Sequence, residues 1–231
     1  MQAVILAGGR GSRLDPYTRV LPKPLFPIGN EPLAAMLVRQ LQGAGAEEIV
    51  MSLGYLSELI IAYFQDGRRF GLPIRYVVES SPLGTAGSLT IIEDLAEDFL
   101  VVNGDELTTL NFGALYDHHM MTDADMTIAV QKKAVSSSLG VLDIKDGQVV
   151  AYREKPTLNF WVSMGIYVLS KPVVQLIPDG RKLDMPELVQ NLLHEQAHIV
   201  SYESDDLWFD IGTMEDLEKA RKVFGSSKEG I

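Results

Sequence analysis

MQAVILAGGRGSRLDPYTRVLPKPLFPI, residues Met1 to Ile28, is the stretch on which the reading of this chain turns. The run Ala3-Val4-Ile5-Leu6-Ala7 is short, wholly apolar and closed by turn residues, which predicts a buried strand. Gly8-Gly9 end it, and Gly11 follows two residues later. Glycine lets the backbone turn sharply and lets a ligand approach with no Cβ in the way. Successive N–H groups in such a turn form a concavity suited to anions. The same stretch carries Arg10, Arg13, Arg19 and Lys23 against one acid, Asp15, in a chain whose formal net charge is −11. A positive, glycine-rich turn on an acidic protein is what a polyphosphate requires.

Beyond the turn, the pattern alternates. A helix is predicted over 31–42, a strand over 48–53, a helix over 56–64 and a strand over 74–78. A helix over 88–95, a strand over 99–102, a helix over 112–121 and a strand over 126–130 follow. Continuous apolar strands alternating with helices imply a mainly parallel sheet covered on both faces. The second half differs. Short strands over 140–144 and 149–153 flank Asp146-Gly147, a hairpin turn signal. A strand over 160–169 and helices over 185–194 and 214–223 complete the chain, with Asp184 and Thr213 as candidate caps. Residues 225–231 read as a frayed tail. No repeat, linker or composition break is visible, so 1–231 reads as one α/β domain. Its first half is about 1–130 and its smaller, β-rich second half about 131–231.

Composition narrows the function. At 231 residues, 46% hydrophobic and 22% charged, the chain can bury a sizeable core. No apolar run reaches about 18 residues, so no membrane span is expected. The first residues do not form a secretion signal. The absence of cysteine excludes disulfides and thiolate metal sites and fits a reducing cytoplasm. The acidic balance argues against nucleic acid and anionic membranes as partners. His118, His119, His194 and His198 lack zinc-ligand spacing and read as solvated side chains.

Two phosphate motifs fail on the opening stretch. The P-loop needs a Gly-Lys pair, and the chain has none. The dinucleotide fingerprint, begun at Gly9 and Gly11, puts Leu14 where its third glycine belongs, which sets aside an NAD-dependent oxidoreductase. What remains is Gly-Gly-x-Gly-x-Arg, then Pro16, then Pro22-Lys23-Pro24-Leu25. This run resembles the signature of the sugar-1-phosphate nucleotidylyltransferases, mannose-1-phosphate guanylyltransferase-like or glucose-1-phosphate thymidylyltransferase-like. The resemblance implies a Rossmann-like, mostly parallel mixed sheet flanked by helices, the nucleotide-diphospho-sugar transferase fold.

Ligands of open α/β sheets sit beyond the carboxyl ends of the strands. Leu6, Ala7, Gly8, Gly9 and Gly11 form the first such end. A second is Glu79-Ser80-Ser81-Pro82-Leu83-Gly84-Thr85-Ala86-Gly87, whose small residues let a flat base lie against backbone. By pattern alone it is also an ordinary strand–loop–helix connection. The family carries a P-L-G-T-A-G run lining its nucleobase pocket, which implies base-binding roles for Glu79, Pro82, Gly84 and Thr85. A third is Val102-Asn103-Gly104-Asp105, where an acid just beyond a buried strand suits a hard cation or caps the next turn. The resemblance implies that Asp105 binds Mg²⁺ beside Gly104; Glu106 is a less constant position. A fourth is Trp208-Phe209-Asp210-Ile211-Gly212-Thr213. The family's W-x-D-I-G-T run implies that Asp210 joins the same metal. As a plain residue, Asp210 is a helix N-terminal acid favoured by the dipole.

Glu154-Lys155-Pro156 is a solvated charge pair by composition. The resemblance gives Lys155 the sugar phosphate and Glu154 the sugar hydroxyls, with Gly140 and Gly165 admitting the sugar to the backbone. Where many members carry Asn before the G-I-Y run, this chain has Trp161-Val162-Ser163-Met164, which leaves the sugar open. The implied reaction joins a nucleoside triphosphate and a sugar 1-phosphate, giving NDP-sugar and pyrophosphate. Arg13 would face the leaving pyrophosphate, Lys23 the α-phosphate and Lys155 the incoming phosphate. The overall pattern leans to GTP with mannose 1-phosphate or a related sugar, ahead of uridylyl or thymidylyl transfer to glucose 1-phosphate. A non-catalytic, nucleotide-sugar-binding regulatory subunit is the competing class. It would lack one of Arg13, Lys23, Asp105 and Asp210, all present here. Monomer and homodimer are both compatible with the pattern.

Overall fold

The computed structural model describes residues 1–225; the expected frayed tail falls, from Ser226 onward, outside the described residues. In chain order the strands and helices are β1 (Gln2–Ala7), β2 (Pro27–Ile28), β3 (Glu31–Pro32), α1 (Leu33–Gly43), β4 (Glu48–Leu53), α2 (Ser57–Phe64) and β5 (Ile74–Val78). Then come α3 (Gly84–Gly87), β6 (Asp98–Asn103), β7 (Glu106–Thr108), α4 (Phe112–Thr122), β8 (Met126–Ser136), β9 (Val141–Lys145) and β10 (Gln148–Arg153). The chain closes with β11 (Thr157–Ser170), α5 (Lys171–Val174), α6 (Met185–His194), β12 (Ile199–Glu203), β13 (Trp208–Asp210) and α7 (Met214–Phe224).

Seven strands form the main sheet in the order β12-β8-β11-β6-β1-β4-β5. All pairs are parallel except those of β11, which runs antiparallel to both β6 and β8. The sequence pattern of a mainly parallel sheet is borne out because β1, β4 and β6 are buried on both faces. One face packs Ala3 and Ile5 against Leu37, Ile60, Phe64 and Phe112 of α1, α2 and α4. The other packs Val4, Val101 and Leu169 against Ala86, Val173, Leu188 and Leu192. The order changes direction between β1 and β6, so the loops leaving these two strands part and leave a crevice between them.

A third, smaller core lies beneath the opening stretch. Leu14, Phe26, Ile28 and Leu33 pack there with Leu107, Ile211, Leu217 and Ala220. Leu14, the residue that spoils the dinucleotide fingerprint, is 1% exposed and anchors the loop. The loop itself is a chain of single 3-10 turns, Ser12–Leu14, Tyr17–Arg19 and Lys23–Leu25.

Four expectations need correction. The helix over 88–95 is only the short α3 followed by one 3-10 turn, Ser88–Ile91; β-branched Thr90, Ile91 and Ile92 disfavour continuation. The strands expected over 126–130 and 160–169 run on as β8 and β11 to form a long two-stranded arm. The hairpin β9–β10 does not join the main sheet and pairs only with itself. Neither His118 nor His119 is solvated: the His118 ring is half-buried against Tyr202 with Nε2 shielded from water, and His119 is 1% exposed, with Nδ1 2.8 Å from Thr127 Oγ1 and Nε2 3.3 Å from Asp98 Oδ1. Among the described residues no helix is long and apolar enough to cross a membrane.

Candidate active site

The crevice at the change of strand direction is a cleft of about 410 Å³, within the range of small-ligand sites. Its walls are built from the loops after three parallel strands, β6 and β1 side by side and β5 beyond β4. After β1 come Leu6, Ala7, Gly8, Gly9, Gly11 and Arg13; after β6 come Gly104 and Asp105. After β5 come Glu79, Pro82, Gly84 and Thr85, and Lys23 closes the cleft from the third 3-10 turn. Thirteen of the residues singled out from the sequence thus converge on one concavity.

At one end of the cleft stand three acids. Carboxylate oxygens of Asp105, Glu106 and Asp210 all lie within 4.8 Å of one another. Strand pairing explains how residues a hundred positions apart meet. β13 runs antiparallel to β7, setting Asp210 opposite Glu106, and the Ile211 N–H donates to the Asp105 carbonyl at 3.1 Å. Glu106 is 3% exposed and accepts from the Trp208 indole N–H at 2.6 Å. Burial, reinforced by the charges of Asp105 and Asp210, pushes Glu106 well above the usual carboxylate range. Burial and Asp105 also push Asp210 up, against the opposing pull of Lys23 and Arg13. Lys23, itself 7% exposed, forms an ion pair with Asp105. Three crowded hard-oxygen donors with a single ammonium partner suit a divalent cation such as Mg²⁺. Gly165 fits beneath them: at φ +71 a Cβ there would collide with the Asn103 amide and the Glu106 carboxylate.

The opposite wall is tied to α6. Leu183 exchanges backbone hydrogen bonds with Leu83, Ala86 and Gly87 at 2.8–3.0 Å. Asp184 Oδ1 accepts from the Thr85 N–H at 3.1 Å, and Thr85 Oγ1 accepts from the Met185 N–H at 2.7 Å. Glu79 accepts from the Leu83 N–H at 2.9 Å, and burial raises its pKa above the ordinary glutamate value against that bond.

Several lining residues escaped the sequence reading as ligand contacts: Ser12, Ser52, Ser88, Asn103, Lys182 and Asp184. Ser52 has a buried hydroxyl with no hydrogen-bond partner among the described residues. Only its place at the end of β4, beside Leu6 of β1, could have signalled it. Lys182 makes no hydrogen bond or ion pair among the described residues. Three expected residues stay apart from the cleft. Gly140, Glu154 and Lys155 lie on the exposed β9–β10 ribbon, where the Tyr152 hydroxyl packs on Gly140 and donates to Glu154.

A positive, glycine-rich loop facing a carboxylate cluster at a Rossmann-like switch point is the arrangement that a nucleotide-transferring class of protein needs. The nucleotidyl transferase family model matches residues 2–226, and the chain belongs to that family, among the sugar-1-phosphate nucleotidylyltransferases. It is 33% identical to a mannose-1-phosphate guanyltransferase of Yarrowia lipolytica over 98% of this chain and 65% of that protein. It is 30% identical to the D-glycero-alpha-D-manno-heptose 1-phosphate guanylyltransferase of Aneurinibacillus thermoaerophilus, over 96% of this chain and 97% of the relative. The solved structure of HddC from Yersinia pseudotuberculosis complexed with GMP-PN superposes with a TM-score of 0.75 at 27% identity, covering 96% of this chain and 99% of that one. The chain spans 62 to 65% of the length of the mannose-1-phosphate enzymes it matches, and 62% of a UTP–glucose-1-phosphate uridylyltransferase of Synechocystis to which it is 32% identical.

Proposed function

We propose that this chain transfers a nucleotidyl group from a nucleoside triphosphate to a sugar 1-phosphate, releasing pyrophosphate. The observation that carries the reading is the meeting of Arg13, Lys23 and Asp105 at one cleft, with Asp210 beside Asp105. A sugar phosphate oxygen attacks the α-phosphorus, a P–O bond forms, and the bond to the β-phosphate breaks. The attacking oxygen is already anionic, so no general base is needed. The obstacle is repulsion between two anions, and positioned charge is what lowers it. The glycine loop after β1 cradles the phosphates, Lys23 neutralises the α-phosphate region and Arg13 receives the leaving pyrophosphate. Asp105 and Asp210, with Glu106 behind them, would hold Mg²⁺, which when bound supplies electrostatic stabilisation of the α-phosphate. Lys155 and Glu154 on the ribbon would take the sugar phosphate.

For the finer substrate we favour GTP with mannose 1-phosphate or a related sugar, in the reducing cytoplasm that a cysteine-free chain suits. Its support is the P-L-G-T-A-G wall together with the guanylyltransferase names of relatives covered along nearly all of this chain. Pyrophosphate release is measured with magnesium for four triphosphates against mannose, glucose and heptose 1-phosphates. GTP with mannose 1-phosphate is expected to lead. UTP or dTTP with glucose 1-phosphate leading would overturn the finer assignment. No release in any pair, with retained nucleotide-sugar binding, would overturn catalysis in favour of a regulatory subunit.

A further inference from the structure

We infer that Gly212 is a positioning residue for Arg13, holding the guanidinium over the cleft by offering it bare backbone to lie on. Arg13 makes no hydrogen bond or ion pair among the described residues. Its guanidinium rests against the 210–213 segment instead. A Cβ built on Gly212 would stand 2.8 Å from Arg13 Nη1, 3.2 Å from Cζ and 3.4 Å from Nη2. The segment is a firm support. Ile211 is held by the Asp105 carbonyl at 3.1 Å, the Gly212 N–H donates to the Asp210 carbonyl at 2.9 Å, and Thr213 and Asp216 cap α7 reciprocally. Next to Arg13, buried Leu14 locks the backbone from which the side chain departs. The guanidinium therefore has a fixed root and a fixed rest: the Asp210 charge attracts it to the segment, and bare Gly212 lets it lie close. No left-handed backbone is required at Gly212, and the three atoms nearest a methyl group there all belong to the far end of a flexible side chain. The methyl group displaces the charge at little cost in stability. Displacement of a catalytic group by about 1 Å costs up to about 10²-fold in rate.

The inference rests on the role given to Arg13 above, and the experiment keeps the two apart. Gly212→Ala is made in wild type and in Arg13→Ala, and pyrophosphate release, triphosphate affinity by calorimetry and thermal midpoint are read for all four proteins. In wild type, Gly212→Ala is expected to lower kcat/KM for the triphosphate by about tenfold or more, with the midpoint moving by less than about 2 °C. In Arg13→Ala the same substitution should change either readout by less than about twofold, because the group it displaces is gone. Wild-type kinetics in Gly212→Ala would overturn the inference, as would an equal loss in both backgrounds or a fall in midpoint that persists without Arg13. Undiminished turnover and affinity in Arg13→Ala alone would instead remove the role of Arg13, and this inference with it.

Discussion

The two ends of the central sheet treat polar groups in opposite ways. At the amino end of β6, buried polar side chains satisfy one another. His119 bridges Thr127 and Asp98 at 2.8 and 3.3 Å, and Ser170 Oγ, with one proton to give, lies 2.7 Å from Asp98 Oδ1 and 3.1 Å from the Ala124 carbonyl. At the carboxyl end the groups are left wanting. Three carboxylates crowd within 4.8 Å, Ser52 has no partner for its buried hydroxyl, and Arg13 and Lys182 face the cleft unpaired among the described residues. A satisfied network stabilises the fold. An unsatisfied one costs stability and persists where a ligand completes it. The contrast predicts that changes at the two ends separate activity from stability.

The largest effect belongs to Lys23. Lys23→Ala should lower turnover by about 10²–10³-fold, since one preorganised charge of this kind contributes about 3 kcal/mol to the barrier. Far-ultraviolet circular dichroism should be unchanged, because the side chain left unpaired, Asp105, is 30% exposed and can be hydrated. Turnover within a few-fold of wild type would break the contrast at its strongest point.

His119 at the other end should behave in reverse. His119→Ala removes a buried partner of Thr127 and Asp98 and should cost about 2 kcal/mol of unfolding free energy in a urea titration. Turnover per folded molecule should stay the same. A drop in turnover with unchanged stability would show that the amino end reaches the cleft.

How much of this was legible beforehand follows from where the information lies along the chain. The glycine loop and Asp105 each follow a continuous apolar strand, and the P-L-G-T-A-G wall follows a shorter mixed one, Ile74–Val78, so local pattern located them. The third acid was harder. Glu106 becomes a partner of Asp210 only through the β13–β7 ladder, and these strands are three residues each, too short for a periodic signal. His119 was misread for a similar reason. A histidine on α4 is buried by residues of three other elements, β6, β8 and β11, and helical spacing carries no trace of them. The ribbon was seen correctly as a hairpin from Asp146-Gly147. Its separation from the main sheet depends on β8 pairing with β11 across it.

That ribbon supplies a third, smaller test. Lys155 and Glu154 lie on an exposed hairpin, not on the cleft wall. If the ribbon delivers the sugar phosphate, Lys155→Ala should raise KM for sugar 1-phosphate by about tenfold, the scale of one charge-assisted hydrogen bond. KM for the triphosphate should stay within about twofold, since Lys155 does not line the cleft. An unchanged sugar-phosphate KM would confine the site to the cleft and remove the ribbon from it.

The smallest effect is a pH dependence at Glu79, and its sign follows from burial. Burial is the largest influence on Glu79 and raises its pKa in the folded protein above the ordinary 4.5, with the Leu83 N–H opposing it. The folded state therefore holds the proton more tightly than the unfolded chain. Stability attributable to this group is intact below the unfolded pKa and declines as pH climbs towards the folded pKa. Glu79→Gln removes the ionisation and keeps an oxygen to accept from the Leu83 N–H, now 2.9 Å from the carboxylate. The thermal midpoint of Glu79→Gln should match or trail wild type near pH 4 and gain on it as pH rises above the ordinary 4.5, so that the variant leads at pH 7. A difference that is flat across that range, or that shrinks as pH rises, would show that the carboxylate is hydrated in the folded protein and that this wall of the cleft carries no stored cost.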